Sequence, residues 1–193
     1  MDSDWRHDMA ESSYAFQTYV WPKVRPLCGE GRLEPVESPT AKEGLARDFN
    51  MLAGVDAWQL LDDRGFMRAI GARVQADSDY RTFTVRKDRF LTGAKTEYAK
   101  LTEAIKNRDQ GAIYPALSIH AYVRDYRKGP LLSAAVVRTV DLCEYLDIQI
   151  SERRAKTRKT SNADFYYVYW KELAASGVKI HTWPSEQASD DGK

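Results

Sequence analysis

Asp56 stands in the run Ala53-Gly54-Val55-Asp56-Ala57-Trp58, and Arg73 and Gln75 stand two apart in Gly71-Ala72-Arg73-Val74-Gln75. A carboxylate at the inner edge of a strand pair can hold a divalent cation, which polarises a phosphate and activates water. Strand side chains alternate, so Arg73 and Gln75 share a face, where glutamine can orient water and arginine can stabilise charge building on phosphorus. One aspartate does not make a metal site. A plainer chemistry stands beside this one: Asp56 can pair with Arg73 across adjacent strands, and Glu97 can be a first-turn acid with Lys100 as its surface partner.

Cations and aromatic rings form a second group. Thr82, Thr84 and Arg86 alternate with Phe83 and Val85, giving a polar line in which Arg86 can grip a phosphate with two donors. Arg153, Arg154, Lys156, Arg158 and Lys159 put five cations into seven positions, and Phe165, Tyr166, Tyr167, Tyr169 and Trp170 follow. Cations that neutralise phosphates beside rings that stack on bases favour nucleic acid, DNA more than RNA. At helical spacing Tyr166, Tyr169 and Trp170 would instead form a packing or docking face.

The elements that must position these residues read as follows. A first helix runs from about Asp8 to Val20 and stops at Pro22. Residues 21–40, with four prolines, read as a packed irregular crossing. Three strands, 51–61, 66–75 and 80–87, form an antiparallel meander with turns at Asp62-Asp63-Arg64-Gly65 and Ala76-Asp77-Ser78-Asp79. Thr96 caps a crossover helix that ends near Asn107. Strands follow at 117–123, where Ser118, His120 and Tyr122 alternate with apolar residues as in a half-buried strand, and at 131–139. A short helix spans 141–150, a basic loop 151–162, a helix 165–175 and a last strand 178–183. The expectation is one α+β domain over 1–183 with a central mixed sheet and flanking helices, and a disordered tail over 184–193.

Length and charge bound the possibilities. A chain of 193 residues, 43% apolar and 30% charged, can bury a core without staples, and no apolar run suits a membrane span. Cys28 and Cys143 are far apart and the three histidines are scattered, which argues for a reduced cytoplasmic setting and against zinc. The formal net charge is only +1. Residues 1–80 hold 9 basic and 14 acidic side chains, 81–160 hold 17 and 9, and 161–193 hold 3 and 5, so a basic centre lies between acidic ends. Phosphate-loop, dinucleotide and nucleophile-elbow motifs are missing.

The order helix, three meandering strands, helix, strand resembles the core of the restriction-endonuclease-like, or PD-(D/E)XK, nuclease superfamily. The resemblance covers residues 8–125. It implies a metal-holding acid at Asp56 and places Arg73-Val74-Gln75 where the family has an acid-x-lysine pair. Arginine in the acid's place removes a ligand, so the second carboxylate must come from Glu11, Asp48 or Glu97. The expected function is a Mg²⁺-dependent nuclease or a degenerate relative that binds without cutting. The alternative is a non-catalytic protein-docking module, as a homodimer for instance.

Overall fold

The computed structural model describes residues 10–29, 31–36, 54–61, 65–89, 95–160 and 163–185. Asp48, the turn residues 62–64 and the tail beyond 185 lie outside them. The chain forms an α+β fold with a mixed six-stranded sheet and an antiparallel three-stranded sheet. No helix among the described residues is long and apolar enough to cross a membrane.

Helix α1 covers residues 10–28 and passes through a π-turn at Phe16–Val20 into the α-helical segment Trp21–Cys28. Pro22 therefore does not end it: the proline falls in the first turn after the π-segment, where a missing N–H is tolerated. Ala15, Phe16, Val20, Val24 and Cys28 pack on one face of the large sheet. Each large side chain buried there contributes about 1.5–3 kcal/mol.

Strand β1 (Arg32–Pro35) forms inside the stretch expected to be irregular. It pairs with β2 (Ala57–Leu61), which pairs with β3 (Phe66–Ala76), so the antiparallel meander exists but starts one strand earlier than expected. Strand β4 (Thr82–Arg89) leaves this sheet. Its place beside β3 is taken by β5 (Leu117–Val123), parallel and in register from Ile70↔Leu117 to Ala76↔Val123. The connection to β5 runs through α2 (Glu97–Lys106), whose first turn is capped by Thr96 as the sequence predicts.

Beyond β5 lie β6 (Leu131–Arg138) and β9 (Ile180–Trp183), giving the order β1-β2-β3-β5-β6-β9. Helix α3 (Thr139–Ser151) follows β6. The expected basic loop contains strand β7 (Lys156–Lys159), and the expected helix from 165 is strand β8 (Ala163–Tyr169) followed by a short α4 (Trp170–Ala175). Phe165-Tyr166-Tyr167-Val168-Tyr169 is a run of strong strand formers, and pairing with both β4 and β7 decides its conformation. The small sheet has the order β4-β8-β7.

All seven residues of β5 are buried. Leu117, Ile119, Ala121 and Val123 face α1, whereas Tyr122 joins a second core with Phe83, Val85, Leu101, Leu142, Leu146, Val168 and Leu173. The strand is covered on both faces, not half-buried, because β4 and the helices α2 and α3 lie over its polar side.

Candidate nucleic-acid interface

Strand β4 spends only alternate amides on β8, and its outer amides meet side chains. The Thr82 amide donates to the Tyr122 hydroxyl at 3.1 Å, the Thr84 amide to His120 Nδ1 at 3.1 Å, and the Arg86 amide to Glu97 Oε2 at 3.0 Å. Three successive edge groups that would recruit another strand are thereby satisfied. Tyr122 also donates to the Thr82 carbonyl at 3.0 Å. Because strand amides lie in the sheet plane, the small sheet meets the β5 side of the large sheet with its edge. Burial first, and the Arg73 charge second, hold the His120 pKa well below its ordinary value, so the ring stays neutral and its Nδ1 can accept.

Edge-on docking leaves the small sheet with two different faces. Phe83, Val85, Tyr166 and Val168 pack with α2 and α3. On the other face the register assembles rows across the three strands: Arg86, Phe165 and Arg158 in one, Thr84, Tyr167 and Lys156 in the next, then Thr82 and Tyr169. Aromatic rings occupy the central strand; Phe165 has a cation on each flank, Tyr167 has Lys156 on one flank and Thr84 on the other, and Tyr169 lies opposite Thr82. Phe165 and Tyr167 are partly exposed, and Tyr169, Lys156 and Arg158 are exposed.

Each end of the row is lined by cation–ring contacts. The Arg73 and Arg86 guanidinium carbons lie 5.2 and 5.5 Å from the Phe165 ring centre. The Lys156 ammonium lies 4.9 Å from Tyr169, and Arg158 lies 4.9 Å from Tyr80. Tyr167 and Tyr169 meet edge to face at 5.7 Å. Lys156 also pairs with Glu172, which raises its pKa and keeps it charged. Hydrogen bonds from Ser78 and Arg158 lower the Tyr80 pKa.

Arg73 sits at the corner between the sheets. It donates to Thr84 Oγ1 at 3.1 Å and to Glu97 Oε2 at 2.7 Å. In register with His120 it projects to the same side of the large sheet as Gln75, which is opposite Tyr122. Arg73 and Gln75 therefore share a face, as strand alternation requires, and the Arg86 guanidinium meets Arg73 at the Phe165 ring. The polar line of β4 is not a solvated border, however, since Thr82 and Thr84 are buried against β5.

The carboxylates are distributed otherwise. Asp56 accepts the Ala72 amide at 2.6 Å while its own amide donates to the Ile70 carbonyl, which fixes the start of β2 on β3. The ion pair of Arg73 is with Glu97, not Asp56. Glu11 pairs with Arg127 in the β5–β6 turn at 2.7 Å. Asp48 lies outside the described residues. Among the described residues no three His, Cys, Asp or Glu side chains are grouped to hold a metal ion. The described donor set therefore does not fit the Mg²⁺ site that the resemblance implies.

Of the five cations from 153 to 159, two reach the ring face. Arg153 closes α3 with φ 57°, its amide donating to Ile150 O at 3.0 Å. Arg154 pairs with Glu152. Lys159, opposite Asp164, faces away from the rings. Only Lys156 and Arg158 share the side of Tyr167 and Phe165. His120 and Tyr122 carry the interface without having been singled out for it; the signal available was their alternation with apolar residues in β5.

Compared with protein-family models, curated proteins and solved structures, the chain matches none.

Proposed function

We propose that the ring face of the β4-β8-β7 sheet binds nucleic acid, with bases on the aromatic row and phosphates on Arg86, Lys156 and Arg158. The observation that carries this is the row structure: a central strand of rings in which Phe165 has a cation on each side, Arg86 and Arg158, and Tyr167 has Lys156 on the β7 side. Rings supply sequence-tolerant stacking and cations supply backbone attraction, the two components of nucleic-acid affinity that need no base-specific contact. Arg86, Lys156 and Arg158 of the basic centre lie on this face and Arg73 borders it, so a protein of net charge +1 presents a local cluster of cations there.

The order α1, three antiparallel strands, a fourth strand that joins the other sheet, α2 and a strand parallel to the third supports the nuclease-like reading of the core. With Asp56 and Glu97 engaged in holding strands, the reading is a nuclease-like fold that binds and does not cut.

Filter binding of labelled DNA and RNA oligonucleotides over a salt series tests the proposal. Affinity should fall as salt rises, and Arg158→Ala should make the log–log slope shallower by about one unit. Tyr167→Ala should weaken binding by about 1–3 kcal/mol. Retention of neither nucleic acid at any salt would overturn the proposal and favour a protein-docking module.

A further inference from the structure

Resting on that reading of the ring face, we infer that its ligand is a single, unstacked strand rather than a duplex. Phe165, Tyr167 and Tyr169 alternate along one strand, so their attachment points are about 6.6–6.8 Å apart. Stacked bases along one strand of a duplex are separated by about 3.4 Å, half that interval. Successive rings therefore cannot each meet successive bases of a stacked helix. A backbone stretched until neighbouring bases part can place one base at each ring.

The cations repeat with the same interval. Lys156 and Arg158 are two residues apart on β7, beside Tyr167 and Phe165 respectively, and Arg86 flanks Phe165 from β4. A strand running along β8 thus meets a ring with a flanking cation at Phe165 and again at Tyr167, and the Lys156 ammonium also lies 4.9 Å from the third ring, Tyr169, as an extended strand presents one base with one phosphate. Neighbouring strands are about 4.8 Å apart, so the cations lie within reach of phosphates whose bases rest on the central rings.

Placement of the face acts in the same direction. The small sheet meets the large one edge-on at Thr82 and Thr84, the Arg86 amide is held by Glu97 of α2, and Arg73 fills the corner while touching the Phe165 ring. The ring face is consequently a wall beside the β3 surface, not an open convex platform. Base edges of a duplex are reached through its grooves by an inserted element, and the described residues of this wall supply none.

Fluorescence anisotropy decides the point, with a labelled 12-nucleotide strand compared, at equal salt, with the same strand annealed to its complement. Single strand should bind at least tenfold more tightly, and Tyr167→Leu should erase most of that preference. Equal or tighter binding of the duplex, still salt-dependent and weakened by Arg158→Ala, overturns the single-strand inference while leaving the nucleic-acid reading intact. Binding of neither at low salt overturns both.

Discussion

The Arg73 guanidinium and the Glu97 carboxylate meet at 2.7 Å, with side chains 23% and 30% exposed. The same carboxylate oxygen accepts the Arg86 amide, so one side chain ties together β3, the edge of β4 and the first turn of α2. Glu97→Ala leaves a largely buried cation and an edge amide without this acceptor, and should cost about 2–3 kcal/mol in urea unfolding. Glu97→Gln keeps an acceptor and should cost less. A metal ligand held among other carboxylates would behave oppositely, its removal stabilising the metal-free protein. An unchanged or raised midpoint for Glu97→Ala would argue against the holding role.

His120 links stability to pH. Its folded pKa lies below the ordinary value because the ring is buried beside Arg73. The unfolded chain therefore takes up a proton near pH 6.5 that the folded protein refuses. Stability from this group is complete above the unfolded pKa and falls as pH drops towards the folded one, at about 1.4 kcal/mol per pH unit. Unfolding free energies at pH 7.5 and 5.5 should differ less in His120→Gln than in the parent. Equal differences in the two proteins would sink this account.

Tyr122 meets the β4 edge with its hydroxyl. Tyr122→Phe keeps the ring contacts with Tyr80 and Trp170 but removes the acceptor for the Thr82 amide and the donor to its carbonyl. The expected loss is about 1–3 kcal/mol, with faster hydrogen exchange at the Thr82 amide than elsewhere in β4. Uniform exchange along β4 in the variant would contradict the pairing.

Burial pushes the thiols of Cys28 and Cys143 up to about 12. Both cysteines are free and buried. Thiolate is the reactive form, so neither should react with a thiol reagent in native protein at pH 8, and both should react after unfolding. Rapid native labelling of either would show that its surroundings open.

Legibility differed between the two kinds of element. The capped crossover helix and the strands at 117–123 and 131–138 were readable because hydrophobic period and a capping threonine are local signals. Pro22 misled, since a π-turn can present a proline to a fresh first turn. The aromatic run after Asp164 fits both a helix face and a strand, and only its neighbours β4 and β7 select the strand.

By itself the sequence determined an α+β chain, a basic centre between acidic ends, and the residue types of the candidate site: Arg73, Arg86, Lys156, Arg158 and the rings after Asp164. Tertiary structure alone decided which of them meet. Polar residues that alternate with apolar ones normally face water, yet Ser118, His120 and Tyr122 are buried. Ser118 bonds Thr139 at 2.9 Å, and the other two satisfy the outer amides of β4. Whether a carboxylate coordinates a cation or holds a strand depends on what lies within 3 Å of it, and that distance is fixed by contacts far apart in sequence: Asp56 with Ala72, Glu97 with Arg73, Glu11 with Arg127.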